Sequence, residues 1–476
     1  VVSPLIPEPQ AMPKRIRRQR PESLSFWDFP ALLQLLDSLD IKRSHAPALL
    51  RALAAKVVSA PGDCETWEDF GITDQTLFDL GLPKKACDIL TRTKPFSNTL
   101  SSQMTSADQS TCKMVIDLWD GHKVESVIMR HDDRTTICVS SQVGCQMGCT
   151  FCATGTLPVV GDLDAGEIVE QLLLAQRLEF QKGLSPVRNA VFMGMGEPLN
   201  NYDAVVAAVR SMTDLGQLGS YALPQSRVTI STVGVVSRMK QLVRDLPGLS
   251  LALSLHAPTQ ELREKIVPSA KHVSMEDLLA AMDMHLEQKT ARAMIEYVLL
   301  SEENDSDLCA TQLGKLLAPR ARKIMVNLIP YNPTAASTTT GGFQAPAHQR
   351  VERFQQILAH FGIMTRVRRE MGQDIAGACG QLALKETQAA SKEDLEDFVQ
   401  WRRRQPGNAK AMVSAECEAL VTAAMEVDIA GSTISSLTQA QKRASNWTWL
   451  QFSILASVTL SLATLAVVAP RPRARS

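Results

Sequence analysis

Three cysteines within eight residues are the part of this sequence best suited to chemistry. Cys145, Cys149 and Cys152 are spaced C-x₃-C-x₂-C in a loop that also contains glycines, and thiolates at this spacing bind soft metal centres such as zinc or an iron–sulfur cluster. Structural zinc sites are closed by four protein ligands, but no second paired set of cysteine or histidine ligands follows in the sequence. We therefore expect an iron–sulfur cluster with one open iron.

The composition limits the class of protein. Among 476 residues, 50 Lys and Arg balance 50 Asp and Glu, which argues against a basic coat protein for nucleic acid but leaves a local basic cleft open. Ten cysteines in a chain of this length do not form a disulfide scaffold and favour a metal centre in a reducing compartment. We expect an intracellular protein, located in the cytoplasm or in an organelle such as a plastid or mitochondrion.

An alternation of apolar runs and amphipathic stretches must position these cysteines. The β-type runs cover residues 135–140, 189–194, 227–233, 249–255, 293–300 and 323–330. Helical intervals follow them, for example at residues 164–180, 203–213 and 275–288. Six β-then-α units predict an α/β fold with a parallel sheet, arranged as a partial (βα)₆ barrel. In such folds the chemistry sits where the strands end.

Small and polar residues follow several of the predicted strands. Gly196 and Glu197 come after the second strand. The glycine permits close approach of a ligand to the backbone, and the carboxylate can accept a hydrogen bond from an ammonium group. The corresponding residues of the third, fourth and sixth strands are Ser231, Ser254, His256 and Asn332. Together they predict a binding site for a polar cofactor near the cysteines.

The sequence resembles the radical S-adenosylmethionine (SAM) superfamily and, within it, one family of RNA methyltransferases. In chain order the similarity lies in CVSSQVGCQMGCTFCATGT, FMGMGEPLNNYDAVV, RVTISTVG, LSLHAP, VNLIPYNP and GQDIAGACGQL. These strings resemble motifs of the dual-specificity adenine-C2 methyltransferases of 23S rRNA and tRNA. They are most similar to the form of these motifs found in plant-like homologues. The resemblance implies that Cys145, Cys149 and Cys152 hold a [4Fe-4S] cluster whose open iron binds SAM. It also implies that Gly196, Glu197 and the polar strand-end residues contact SAM.

The same resemblance gives roles to two further cysteines and one carboxylate. It implies that Cys379 is methylated by one SAM molecule, that a radical derived from a second SAM activates this methyl group, and that the carbon then adds to adenine C2. Cys138 would form a disulfide with Cys379 and release the RNA, while Glu125 would act as the general base. Methylation at adenine C8 is the first alternative, since the related C8 enzymes use the same cysteines. A non-catalytic, membrane-anchored iron–sulfur or RNA-binding protein is the second.

The remaining predictions concern domains and partners. We expect a disordered, basic and proline-rich arm at residues 1–25, a helical N-terminal domain at 26–120, the radical SAM core at 121–385 and a charged helical extension at 386–445. Residues 446–470 contain no charged side chain and predict a membrane helix.

Structured RNA and an electron donor such as flavodoxin or ferredoxin are the implied partners. Candidate phosphate contacts are Arg366, Arg368, Arg369 and Lys271. Because the sequence begins with Val, we expect it to be processed or incomplete.

Overall fold

The computed structural model describes residues 24–62, 64–288, 291–334 and 342–383. All twelve predicted site residues fall within these ranges. The predicted extension at 386–445, the predicted membrane helix at 446–470 and most of the predicted arm at 1–25 lie outside them. Within the described ranges, no helix is both long enough and apolar enough to cross a membrane.

A ten-stranded sheet organises the described part of the chain. The strands are β1 (Leu24–Ser25), β2 (Thr93–Lys94), β3 (Thr99–Thr105), β4 (Thr111–Asp117), β5 (Lys123–His131), β6 (Arg134–Cys138), β7 (Gln142–Val143), β8 (Gly161–Asp162), β9 (Val187–Phe192), β10 (Val228–Thr232), β11 (Ser250–Ser254), β12 (Ala293–Leu299), β13 (Ile324–Pro330) and β14 (Met364–Val367). The large sheet has the order β14-β13-β12-β11-β10-β9-β6-β5-β4-β3. Strand β6 and strands β9 to β14 are parallel to one another. The six apolar runs are therefore confirmed as β6 and β9 to β13, and the α/β fold with a mostly parallel sheet is confirmed.

Strands β3 and β4 correct one expectation from the sequence, because they lie within residues 26–120, which were expected to be helical. The parallel sheet continues beyond β6 with antiparallel pairing of β5 with β6, β4 with β5 and β3 with β4. The helical part ends at Arg92. A turn at Asp120 and Gly121, a pair typical of hairpins, joins β4 to β5, and Gly121 has the positive φ of 84° that such a turn needs. Strand β3 is polar and largely exposed, and the buried Lys113 interrupts the apolar pattern of β4, which is why hydrophobic periodicity alone missed both.

The helices pack on the sheet and on one another. They are α1 (Phe29–Ser38), α2 (Ala46–Ser59), α3 (Asp74–Asp79), α4 (Cys87–Arg92), α5 (Ala165–Gln181), α6 (Tyr202–Thr213), α7 (Leu215–Leu218), α8 (Val236–Asp245), α9 (Gln260–Ile266), α10 (Met275–Leu286), α11 (Asp307–Leu317) and α12 (His348–His360). Helix α5 begins at a capping box in which Asp164 and Glu167 satisfy the first backbone N–H groups. It is buried along most of its length and joins the N-terminal helices to the sheet.

The segment after β14 joins the two edges of the sheet. Strands β3 and β14 are the edge strands, so strand pairing among the described residues does not close a barrel. Beyond β14, the Asp374 carboxylate accepts a hydrogen bond of 2.9 Å from the backbone of Ala107, in the turn after β3. The backbone N–H of Ala383 donates to Glu125 on β5 at 2.8 Å. Residues 368–383 therefore cover the gap between the strands at the two ends of the sheet.

Candidate active site

One cavity of about 670 Å³ gathers almost every residue singled out from the sequence. Its lining comes from β5, β6, β9 to β14 and the loops that follow them. Eleven of the twelve predicted site residues are part of that lining, namely Cys138, Cys145, Cys149, Cys152, Gly196, Glu197, Ser231, Ser254, His256, Asn332 and Cys379. The twelfth, Glu125, is not. The sequence prediction of a shared site at the ends of parallel strands therefore agrees with the geometry.

The three clustered cysteines lie in a loop held by backbone contacts. Gly144 begins this loop with φ +81°, and a Cβ atom there would lie 2.0 Å from the carbonyl oxygen of Pro158, so only glycine fits. The Thr150 N–H donates to Ile266 O at 3.0 Å, at the end of α9. Burial raises the pKa of the Cys145 thiol to about 12 and that of Cys149 well above its ordinary value. Without a metal, these buried thiols are neutral.

The surroundings of the three thiols fit an anionic iron–sulfur cluster. Arg263 on α9 is 1% exposed, and it donates to the backbone oxygens of Leu255 and Val233. Its third nitrogen, Nη1, has no hydrogen-bond partner. The guanidinium charge lowers the pKa of Cys149 against the larger effect of burial, which raises it. A buried cation beside Cys149 favours the deprotonated, metal-bound form of that thiol.

A cluster also accounts for the spacing of these thiols. Among the described residues, no three His, Cys, Asp or Glu side chains converge closely enough to bind one ion. A [4Fe-4S] cubane does not require such convergence, because each cysteine binds a different iron. The loop therefore fits a [4Fe-4S] cluster held by Cys145, Cys149 and Cys152.

Gly196 and Glu197 lie at the end of β9, facing the same cavity. Gly196 has φ +100°, and a Cβ atom there would lie 2.6 Å from the Gln142 side chain. Glu197 accepts backbone hydrogen bonds from Leu199 at 3.0 Å and Val233 at 2.9 Å. Burial raises its pKa to about 6. Glu197 thus ties the end of β9 to the end of β10, and its remaining lone pairs can still accept from an ammonium group.

Two serines and a histidine occupy the next strand ends. The Ser231 and Ser254 hydroxyls are 3.2 Å apart. His256 has a positive φ of 59°, and its Nδ1 accepts the N–H of Val298 at 3.1 Å. Burial lowers the pKa of His256 to about 3. The imidazole is therefore neutral, with its proton on Nε2, and its ring packs edge-on against Phe151 at a centroid distance of 4.8 Å.

The loop that carries Cys379 is fastened directly to the cysteine loop. The Ala153 N–H donates to Gly380 O at 2.7 Å, and the Thr154 hydroxyl donates to Leu382 O at 2.6 Å. The side-chain amide of Asn332 donates to Cys379 O at 3.0 Å, while its oxygen Oδ1 is buried without a partner. The residues directly after Cys152 therefore position Cys379 beside the proposed cluster.

Cys138 and Cys379 are free thiols on the wall of the same cavity. Burial raises the pKa of Cys138 to about 12, and the charge of Cys379 raises it further. Burial also raises the pKa of Cys379. The nearby guanidinium of Arg368 lowers the pKa of both thiols. Arg368 was expected to contact phosphate, but the structure places it beside the two thiols, with Nη2 3.8 Å from Met129 Sδ.

Glu125 lies on β5, behind the cavity wall. It is 1% exposed, and its Oε1 is 3.1 Å from Lys113 Nζ in a buried ion pair. Its Oε2 accepts the N–H of Ala383 at 2.8 Å, at the end of the Cys379 loop. The structure thus shows Glu125 anchoring the loop, and its role as a general base stays a prediction.

Sequence reasoning missed three charged residues of the site region. These are Lys113 on β4, Arg263 on α9 and Glu296 on β12, all buried. Glu296 carries the only charge in the run AMIEYVL of β12, and a lone charge in an apolar strand was a signal that could have been used. Lys113 is likewise the only charge among residues 109–116, whereas Arg263 lies among other charged residues in QELREKI, so nothing local distinguishes Arg263.

Both the sequence and the fold are similar to those of known proteins. The family model of the Radical SAM superfamily matches residues 139–312. A relative in Thermotoga neapolitana, "Probable dual-specificity RNA methyltransferase RlmN", is 41% identical over 295 residues, covering 62% of this chain and 81% of the relative. A second in Nitrosopumilus maritimus, "Ribosomal RNA large subunit methyltransferase N", is 41% identical over 288 residues, covering 59% and 79%. The crystal structure of a radical SAM methyltransferase from Sphaerobacter thermophilus is 35% identical, with a TM-score of 0.67, covering 76% of this chain and 99% of that one.

The fold and the site together define a radical SAM enzyme. The three cysteines lie in the loop region after β6, which is the first strand of the parallel set. A cavity large enough for a cofactor lies beside them, and both features agree with this class. The chain belongs to the RlmN-type methyltransferases of the superfamily. Its cofactors are accordingly a [4Fe-4S] cluster and SAM.

Proposed function

We propose that this protein methylates adenine at C2 in structured RNA, with ribosomal RNA, transfer RNA or both as substrates. Support comes from relatives named as dual-specificity RNA methyltransferases. The observation that carries the proposal is the placement of Cys138 and Cys379 in the same cavity as the three cysteines of the metal loop. The close likeness to plant-like homologues and the intracellular location stay predictions.

The cofactors have defined places in this proposal. Cys145, Cys149 and Cys152 would hold the cluster, and Gly196, Glu197 and the polar residues at the ends of β10, β11 and β13 would contact SAM. When bound, SAM and the cluster supply a methyl group and, after reduction by an electron donor such as flavodoxin or ferredoxin, a radical that abstracts hydrogen. Adenine C2 has no lone pair to attack a methyl cation, so this radical chemistry is what the reaction requires.

Two thiols of the chain would carry the methyl carbon and release the product. Cys379 takes up the methyl group on its sulfur, which requires the thiolate, and Arg368 favours that charge by lowering the pKa of Cys379 against burial. Abstraction of one hydrogen atom from this methyl group would let its carbon bond to C2 of the adenine, and loss of the C2 proton and of one electron, which the oxidised cluster would accept, would restore the aromatic ring. Cys138 attacks the Cys379 sulfur, forming a disulfide as the sulfur–carbon bond breaks, and the released carbon takes up a proton to complete the methyl group. Glu125, which holds the end of the Cys379 loop, is the candidate base for the C2 proton.

The RNA must present an unstacked base. C2 lies on the inner edge of adenine, so the target nucleotide has to be splayed out of its stack before it reaches the cavity. Arg366 and Arg369 are exposed at the cavity rim, and Lys271 is exposed on the short helix Pro268–His272 beside the metal loop. These three cations are the candidate phosphate contacts.

Mass analysis of the RNA product tests the proposal. The full chain is reconstituted anaerobically with iron and sulfide and incubated with SAM, a reductant and either ribosomal or transfer RNA. The digested RNA should contain 2-methyladenosine. Cys379→Ala should abolish the product, and Cys138→Ala should accumulate a covalent protein–RNA species that migrates slowly on a denaturing gel.

Cys64→Ala is the matched control, because Cys64 lies outside the cavity and should leave product formation unchanged. Recovery of 8-methyladenosine instead would assign the chain to the C8 alternative. Purified, oxygen-free protein that holds zinc, or a Cys138→Ala variant that turns over normally, would contradict the proposed mechanism.

A further inference from the structure

One oxygen of a buried carboxylate in the cavity wall accepts no hydrogen bond from the described residues. Glu296 on β12 is 3% exposed and lines the cavity. Its Oε2 accepts a hydrogen bond from the side-chain amide of Asn327 at 2.9 Å, but its Oε1 is buried with no hydrogen-bond partner. Leaving a buried acceptor unpaired is unfavourable, and a bound ligand, a catalytic role or an ordered water is what typically accounts for such an atom.

Glu296 lies deeper in the sheet than three of the predicted SAM contacts and level with a fourth, Ser254. It is the fourth of the seven residues of β12, and its neighbours in register are Ser254 on β11 and Asn327 on β13. Gly196, Glu197 and Asn332 instead follow the carboxyl ends of their strands. A ligand on the unused oxygen of Glu296 would therefore sit farther from the strand ends than these three contacts.

Glu296 and the thiols of Cys138 and Cys379 all interact electrostatically with Arg368. The charges of Cys379, Glu296 and Cys138 all act on the guanidinium of Arg368, favouring its protonated form against burial. In the proposed reaction the target base must become bonded to the Cys379 sulfur through one carbon atom. The base therefore occupies the part of the cavity that Glu296 and Arg368 border.

We propose that Glu296 recognises the target adenine by accepting a hydrogen bond from its 6-amino group on Oε1. This inference rests on the proposed function. Adenine presents that N–H donor, whereas guanine carries an acceptor oxygen at the same position, which a carboxylate repels. Asn327 fixes the carboxylate orientation, and Arg368 compensates its charge. Glu296 is thus a specificity residue for adenine. The adenine of SAM carries the same amino group, and the experiment separates the two sources.

RNA binding measures this contact without relying on turnover. The probe is an RNA hairpin containing the adenosine identified in the product analysis, and a second hairpin with purine riboside, which lacks the 6-amino group, at that position. Wild-type protein should bind the adenosine hairpin at least about tenfold more tightly. Glu296→Gln should reduce that preference to within about threefold, because its single carbonyl oxygen cannot serve both Asn327 and the base. Glu276→Gln, on the exposed first turn of α10, should retain the wild-type preference.

The affinity for the adenosine hairpin is divided by that for the purine riboside hairpin, and this ratio is compared between wild type and variants. Effects of purine riboside on binding that do not involve Glu296 therefore cancel. Equal binding of both hairpins by the wild type overturns the inference, whether or not the Glu296→Gln variant folds. Loss of SAM binding in Glu296→Gln without RNA would assign the carboxylate to SAM and also overturn it. If wild-type protein binds neither hairpin and forms no methylated RNA, the proposed function itself fails, which is a different result from equal binding.

Discussion

At the level of single residues, burial sets the charges around the cavity. It raises the pKa of Glu197 to about 6, lowers that of His256 to about 3 and lowers that of Arg263 to about 10. Each shift favours the neutral form, as expected when charged groups lose water. Near neutral pH His256 is therefore uncharged, whereas Glu197 is largely ionised and Arg263 stays protonated.

The neutral His256 predicts an acid-sensitive fold. Unfolded His256 has its ordinary pKa of 6.5, but the folded pKa is about 3, so between these values only the unfolded state binds the proton. Stability is fully present above pH 6.5 and falls as the pH drops, by about 2 kcal/mol at pH 5. His256→Asn suits the positive φ and does not titrate. Urea unfolding at pH 7.5 and pH 5 should show the wild type losing about 2 kcal/mol more than the variant. An equal loss in both proteins would show that His256 titrates alike in both states.

At the level of elements, one carboxylate connects α5 to the N-terminal part of the chain. Glu170 is fully buried and accepts from the Ser25 hydroxyl, the backbone and hydroxyl of Ser97, and the backbone and side chain of Asn98 at 2.6–3.1 Å. All these partners are donors. Glu170→Gln would direct an NH₂ group at them, and we expect it to lower the free energy of unfolding by about 2–4 kcal/mol at pH 8.

Chemical denaturation followed by circular dichroism checks this expectation. Glu68→Gln, at an exposed position of the N-terminal helical region, is the control and should change stability by less than about 0.5 kcal/mol. A Glu170→Gln variant as stable as the control would mean that the donor network adds nothing to the docking of α5.

The sequence predicted the elements whose residues obey a simple pattern. The apolar runs located β6 and β9 to β13, and the close spacing of Cys145, Cys149 and Cys152 located the metal loop. Strand β4 was missed because Lys113 lies in it fully buried, and a buried lysine is intelligible only once its partner Glu125 is known from the fold. The inward position of Arg368 likewise depends on how the chain returns from β14 across the sheet, which no local pattern encodes.

At the level of the whole molecule, residues 368–383 return from β14 to the opposite side of the open sheet, where they contact the turn after β3 and strand β5. That return brings Cys379 from one edge of the sheet to Cys138 on β6, near its middle. One anchor of the return segment is Glu125, whose carboxylate binds both Lys113 and the backbone of Ala383. The buried ion pair therefore couples the antiparallel extension of the sheet to the position of Cys379.

This coupling predicts a difference between two variants. Lys113→Met leaves the Glu125 carboxylate buried without its cation and should destabilise the fold by about 3–5 kcal/mol. The double variant Lys113→Met/Glu125→Met removes both charges and should recover most of that loss in urea unfolding. Hydrogen exchange at residues 377–383 should nevertheless be faster in the double variant than in the wild type, because Ala383 has lost its acceptor. Unchanged exchange in this loop would show that contacts from Asn332, Ala153 and Thr154 hold Cys379 without the anchor on β5.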